Sequence, residues 1–258
     1  MIVTELRQTA NCYEMLHQLK YYECTDTGHP SLSMLMSMMT MVSDAHSIFM
    51  GLDRQKVEQS GGAWVVISYE GHLSTKQPRY GDQVILGTRA TASNAFFALR
   101  EFWMDDLHHH HYAHIKALFV MMNLQKRRLM KIPDELLAPF ESPVQKRLDK
   151  PKKPGKLSGD FTSQQYRVRY YDIDVNHHVN NARYFDWLTD PLGATFLRQH
   201  QPVAFTIQYQ NEVQENATVE SRLARIQDDG TTTSRHEIWS GGECCTSAEI
   251  TWTPVNND

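Results

Sequence analysis

The chain of 258 residues has no uninterrupted apolar run near the roughly 20 residues a membrane-spanning helix needs. Its first twenty residues carry Glu5, Arg7, Asn11 and Glu14 and so lack the apolar core of a secretory signal, and a cytoplasmic protein is expected. Cysteine is scarce: Cys12 and Cys24 are isolated, and Cys244 and Cys245 are neighbours that alternate across a strand, so reduced thiols are expected rather than a disulfide framework. There is no Cys-x-x-Cys pair and no Gly-rich phosphate loop, which disfavours redox and nucleotide-dependent chemistry, and no cofactor is implied. No separate DNA-binding unit is visible, so nucleic acid is not expected as a partner. What is present is ordinary for a globular protein: 41% hydrophobic, 22% charged, net charge −4, and enough length for one large or two small cores.

An internal repeat organises the chain. A shift of 149 residues places Tyr21-Tyr22-Glu23 on Tyr170-Tyr171-Asp172, His29 on His178, and Leu32, Leu35 and Met36 on Asn181, Tyr184 and Phe185. A shift of 140 places Ile67-Ser68-Tyr69 on Ile207-Gln208-Tyr209 and His72 on Glu212. Apolar spacing predicts helices over 31–51 and 181–189, the first after Pro30 with Gly51 as its stop, the second ended by Asp190-Pro191. Strands are predicted over 63–73, 83–92, 95–103 and 112–124, and again over 204–213, 218–227, 231–239 and 244–252, with Asp229-Gly230 and Gly241-Gly242 as tight reversals. Each half reads as strand, turn, helix and several antiparallel strands, an α+β pattern.

The chemistry sits in one copy only. Asp174-Val175-Asn176-His177-His178-Val179-Asn180-Asn181 follows a strand-like run over 166–172 and opens the second helix. In an extended segment Asp174, Asn176 and His178 project together and His177 faces away. Each residue alone is a common cap or turn former. Together they place a carboxylate, an amide and an imidazole at a helix N-terminus, whose N–H groups are the expected donors to a developing oxyanion, and that combination suits hydrolysis.

This octet resembles the acyl-acyl-carrier-protein thioesterases, which release free fatty acid from the carrier protein of fatty-acid synthesis. Ile207-Gln208-Tyr209-Gln210-Asn211-Glu212-Val213 is similar to the family's strand bearing a catalytic Glu. Met121-Met122-Asn123, Arg127-Arg128-Leu129 and Lys131-Ile132-Pro133-Asp134-Glu135 are similar to the end of its first half, and Trp64-Val65-Val66 and Tyr80-Gly81-Asp82 also fit. The resemblance implies a tandem, or double, hot-dog fold, each half an antiparallel sheet wrapped around a helix. It implies Asp174, Asn176, His178 and Glu212 as the catalytic set and fatty acyl-carrier protein as substrate, with acyl-coenzyme A hydrolysis and non-catalytic acyl sensing as the alternatives. Plant relatives carry plastid transit peptides, whereas this chain enters its first strand almost at once, which implies a bacterial form. Val213 stands where many plant relatives have Cys, so a Cys-His mechanism is unavailable there and carboxylate-dependent hydrolysis is favoured, by activated water or through a covalent anhydride. His177 is often Gln in relatives.

The expected organisation is residues 1–140 as the first hot-dog with the acyl pocket, 141–160 as a basic linker, and 161–258 as the catalytic hot-dog. Residues 126–156 hold ten basic and four acidic residues. A charged linker is commonly a solvated tether, yet Lys150, Lys152 and Lys153, in a stripe with Lys146, Arg147 and Lys156, would steer an acidic carrier protein. Met34, Met36, Met38, Met39 and Met41 crowd the first helix; such spacing commonly means core, but Met34, Met38 and Met41 are candidates for lining an acyl tunnel. His108, His109, His110 and His111, with His114, read as an exposed hairpin with no fixed metal-ligand geometry. Membrane insertion is not expected, and homodimer formation is left open.

Overall fold

A computed structural model of the protein describes residues 5–228 and 231–255; the predicted Asp229-Gly230 reversal lies outside them. The first half consists of β1 (Cys12–Gln18), α1 (Leu32–Phe49), α2 (Arg54–Gln59), β2 (Gly62–Leu73), β3 (Gln83–Ser93), β4 (Ala98–Asp105), β5 (His111–Asn123), β6 (Leu129–Met130) and α3 (Asp134–Leu137). The second consists of β7 (Thr162–Arg167), α4 (Asn181–Thr189), α5 (Ala194–Gln199), β8 (His200–Tyr209), β9 (Thr218–Asp228), β10 (Thr231–Ser240) and β11 (Glu243–Pro254). All strands join one antiparallel sheet in the order β1-β3-β4-β5-β2-β8-β11-β10-β9-β7, with β6 beside β5.

That order is the same topology read twice, outward from a central seam. At the seam β2 pairs with β8 from Ser68↔Gln208 to His72↔Ala204. This register relates the halves by a pseudo-twofold near Ser68 and Gln208, the same pair that the 140-residue repeat aligns. The fold is a double hot-dog.

α1 starts where Ser31 Oγ accepts the Met34 N–H at 3.1 Å, and buries Leu32, Leu35, Met36, Met39, Val42 and His46. α4 starts where Asn180 Oδ1 accepts the Ala182 N–H at 2.9 Å, and buries Ala182, Tyr184, Phe185, Trp187 and Leu188. Both helices enter one continuous core rather than two separate ones, with Tyr69, Phe102 and Ile115 from one half and Phe205, Ile238 and Ile250 from the other. Among the described residues no helix is long and apolar enough to cross a membrane.

Three expectations are corrected. The run over 166–172 is strand only to Arg167; Tyr170–Asp172 is a 3-10 turn whose buried Asp172 accepts the Arg169 N–H at 2.8 Å. The strand predicted over 204–213 ends at Tyr209, because Gln210 and Asn211 both turn their N–H groups onto the Cys245 carbonyl. The segment 141–160 is not a solvated tether. Its Val144 bridges Ser93, Leu148 packs with Ile67, Phe97, Leu99 and Leu118, and Pro151 is buried. Since Phe102, Met104, Ile115 and Ala117 face the helix-containing core, Leu99 and Leu118 place this strap on the opposite face of the sheet. Further along, Arg235 Nη1 reaches the Lys156 carbonyl at 3.4 Å, so the strap touches the second half as well.

The seam depends on a missing side chain. Gly71 pairs with Phe205, and a Cβ at Gly71 would fall 2.2 Å from the Phe205 ring, which is itself buried and held edge-on to Phe185 at 5.4 Å. Gly71→Ala is expected to cost about 1–3 kcal/mol through overpacking, read as a fall of several degrees in Tm; an unchanged thermal transition would contradict this reading of the seam.

Candidate active site

The segment 174–178 is a closed turn, not the extended run that the alternation of Asp174, Asn176 and His178 suggested. Ile173 and Val179 bridge its base. The Asp174 N–H donates to the His178 carbonyl at 2.9 Å, the His177 N–H to the Asp174 carbonyl at 3.0 Å, and Asp174 Oδ1 accepts the Asn176 N–H at 2.8 Å. His177 takes the left-handed conformation, φ 61°, that the turn requires. Its counterpart in the first half is Gly28, φ 82°, in a turn with the same bonds: Thr25 N–H to His29 carbonyl at 2.9 Å and Gly28 N–H to Thr25 carbonyl at 3.0 Å. One backbone device is thus used twice. Thr25, Thr27 and His29 occupy the positions that Asp174, Asn176 and His178 fill in the second half.

His178 Nε2 lies 3.2 Å from Glu212 Oε1. Glu212 sits in the loop just past β8, and that loop is anchored to β11: Asn211 Nδ2 donates to the Cys244 carbonyl at 3.0 Å, and Val213 is buried against the core with its backbone in contact with the Tyr184 hydroxyl. The other oxygen of Glu212, Oε2, is ion-paired with Arg127 Nη2. Arg127 belongs to the first half, in the tight turn between β5 and β6. A second arginine from that half, Arg54 at the start of α2, donates to the Val175 carbonyl at 2.9 Å. The His178 and Glu212 side chains are 37% and 32% exposed, open enough for water and substrate to reach both.

The pair has a defined chemical polarity. An ionised carboxylate only accepts, so His178 Nε2 carries the proton toward Glu212, and in a neutral ring Nδ1 is left with the lone pair of a base. Both oxygens of Glu212 are engaged, one by His178 and one by Arg127, which makes it an orienting group more than a free base. Asp174 and Asn176 are joined to each other within the turn. Asp174 also lines a small cleft with Ser33, Met34, Ser37, Tyr171 and Arg183, whereas Asn176 stays exposed.

The thiols and phenols nearby are held protonated. Burial pushes Cys244 up to about 11 and raises Cys245, so neither is a ready nucleophile. Burial also raises Tyr184 and Tyr209, and the Tyr209 hydroxyl donates to the Asn181 carbonyl at 3.0 Å. The expectation of free N–H groups at the start of α4 is narrowed, because the Ala182 N–H is bonded to Asn180 Oδ1 and the Arg183 N–H to the Asn180 carbonyl, each at 2.9 Å.

The other candidates separate. Met34 is half-buried at the cleft beside Asp174, Met38 is 2% exposed in the shared core, and Met41 is exposed and lines no described cleft. Lys150 lies over the Phe97 ring at 3.6 Å and Lys152 Nζ is 3.5 Å from Glu70, both on the strap, while Lys153 is exposed there. The histidine-rich hairpin is shaped by Asp106, whose Oδ1 accepts the His108 and His110 N–H groups; among the described residues no three His, Cys, Asp or Glu side chains are arranged to hold a metal ion. Arg127, Arg54 and Tyr209 were not singled out from the sequence as site residues, since nothing in the local pattern tells which arginine of a basic turn reaches across to another half.

The Acyl-ACP thioesterase N-terminal domain family matches residues 10–140, and the Acyl-ACP thioesterase C-terminal domain family matches residues 155–254, ACP being acyl carrier protein. A crystal structure from Lactobacillus plantarum, described as that of a candidate oleoyl thioesterase, is 36% identical, covers 95% of this chain and 97% of its own, and superposes with a TM-score of 0.91. The 12:0-ACP thioesterase from Umbellularia californica shares the fold at a TM-score of 0.82 and 24% identity, over 94% of this chain and 97% of its own. The chloroplastic dodecanoyl-[acyl-carrier-protein] hydrolase of Cinnamomum camphora is 35% identical over 112 residues, which are 41% of this chain and 29% of that protein. The chain spans about half or less of the length of the curated plant relatives it matches.

Proposed function

We propose, because this chain belongs to the acyl-ACP thioesterase family, that it hydrolyses the thioester of fatty acyl-ACP to free fatty acid and carrier protein, ending chain elongation. The observation that carries this reading is the contact of His178 with Glu212, made in a water-accessible turn and closed by Arg127 from the other half. In this reading Asp174, Asn176, His178 and Glu212 form the catalytic set, and Arg127 is a positioning residue.

His178 Nδ1 takes a proton from water as the water oxygen attacks the thioester carbonyl carbon. Glu212 holds the ring in orientation and stabilises the imidazolium that forms, as the carboxylate does in other His-carboxylate pairs. When the tetrahedral intermediate collapses, the C–S bond breaks and the imidazolium returns the proton to the departing thiolate. Asn176, exposed at the turn, is the side-chain amide available to the carbonyl oxygen. Asp174 fixes the turn through the Asn176 N–H and borders the cleft in which the acyl group would start, with Met34 as its neighbour. The ion pair with Arg127 holds the Glu212 carboxylate aimed at the ring.

The test is release of free fatty acid and carrier thiol from acyl-ACP by the purified protein. His178→Ala and Glu212→Ala are each expected to lower kcat by at least about a hundredfold with the thermal transition retained, whereas Cys244→Ala leaves kcat nearly unchanged. A folded His178→Ala protein with full activity would remove the mechanism. An unaltered protein that cleaves matched acyl-coenzyme A but not acyl-ACP would replace the substrate.

The cleft predicts where chain length is read. Met34→Trp adds volume beside Asp174 and is expected to shift the released products toward shorter fatty acids, while Met41→Trp, at an exposed site, leaves the profile alone. Identical product profiles for both variants would return Met34 to ordinary packing.

A further inference from the structure

We propose that the acidic carrier protein docks on the basic turn joining β5 to β6, at the rim of the site, rather than on the lysine-rich strap; this rests on the carrier-thioester reading above and adds the surface that reading lacks. Residues 124–131, Leu-Gln-Lys-Arg-Arg-Leu-Met-Lys, carry four basic side chains and no acidic one. The turn has a defined shape. Asn123 Oδ1 accepts the Lys126 N–H at 2.8 Å and the Gln125 N–H at 3.2 Å, the Arg127 N–H donates to the Asn123 carbonyl at 2.9 Å, and the Asn123 N–H closes on the Arg128 carbonyl at 2.9 Å. Arg127, at φ 50°, is turned onto Glu212. Lys126 and Arg128 flank it, are exposed, and have no carboxylate partner among the described residues.

Position decides between the two basic segments. An acyl chain delivered on a carrier's arm requires the carrier to sit on the rim that opens onto the reacting pair, and Arg127 places this turn one side-chain length from Glu212. The strap lies on the sheet face opposite the helices, with Lys150 over Phe97 and Lys152 beside Glu70. Its charge is partly neutralised and directed away. Unpaired, exposed charges of one sign beside a site act mainly on encounter, raising the association rate and making it fall as salt shortens the Debye length to about 8 Å at physiological ionic strength.

The experiment compares the unaltered protein with the doubly reversed variant Lys126→Glu, Arg128→Glu and with a strap variant, Lys150→Glu, Lys153→Glu. Two quantities are read: the Kd for carrier protein bearing an acyl chain through a non-hydrolysable amide, over a salt series, and turnover of an acyl-N-acetylcysteamine thioester, which has no carrier. The turn variant is expected to weaken carrier binding by about tenfold or more and to flatten its salt dependence, with the small thioester turned over at the unaltered rate. The strap variant is expected to bind carrier as before. An unchanged Kd in the turn variant overturns the proposal, as does a strap variant that weakens binding in its place or a turn variant that loses small-thioester turnover equally. Failure of the hydrolase reading has a separate signature, since the unaltered protein would then release no fatty acid from hydrolysable acyl-ACP whatever its affinity for the carrier.

Discussion

The antiparallel pairing of β2 with β8 is the constraint on which the rest of the molecule depends. Two sheets of identical topology are joined edge to edge over five residue pairs, from Ser68↔Gln208 to His72↔Ala204. Joining them removes two exposed sheet edges, which would otherwise present unpaired backbone groups. It also lets α1 and α4 share one core and fixes which parts of the first half overhang the second. Arg127 in the turn between β5 and β6 and Arg54 at the start of α2 reach Glu212 and the Val175 carbonyl only because the seam holds this register. Gly71 under the Phe205 ring is the local condition for it.

Duplication shows how one backbone turn can carry two different side-chain sets. The turns at 25–29 and 174–178 share their backbone hydrogen bonds, their left-handed residue and the preceding 3-10 turn with its buried carboxylate, Glu23 in one half and Asp172 in the other. The scaffold therefore tolerates either side-chain set. In the first half His29 Nδ1 is tied to the Pro78 carbonyl at 2.9 Å; in the second His178 meets a carboxylate whose other oxygen is held from across the seam. The difference in chemistry comes from what faces the turn, not from the turn itself.

Much of this was legible in the residues. The repeat predicted two related units of strand, helix and strands, the family resemblance implied the double hot-dog, the apolar spacing predicted α1 within two residues at either end and α4 to the residue, and the octet led to the turn that carries His178. The failures have physical causes. Asp174, Asn176 and His178 alternate, but Asp174 Oδ1 bonding the Asn176 N–H makes a turn where period two suggested a strand. Pro and Lys composition marked the strap as solvated, yet Leu148 finds an apolar patch on the outer sheet face that no local pattern announces. Met34 and Met38 are one helical turn apart; which of them borders the cleft is decided by neighbours from the second half, Tyr171 and Ala182 among them. Arg127 illustrates the same limit, since its partner is 85 residues away in the chain.

The central claim is that a residue of the first half orients the His178–Glu212 pair proposed to be catalytic in the second. A double-mutant cycle in kcat on acyl-ACP, built from Arg127→Ala, Glu212→Gln and their combination, tests it most directly, because groups that act as one unit are not additive. The account predicts that Arg127→Ala slows the otherwise unaltered protein but adds little or nothing once Glu212 has been replaced. If the two losses multiplied in the double variant, Arg127 would act independently of Glu212, and the composite site would be contradicted.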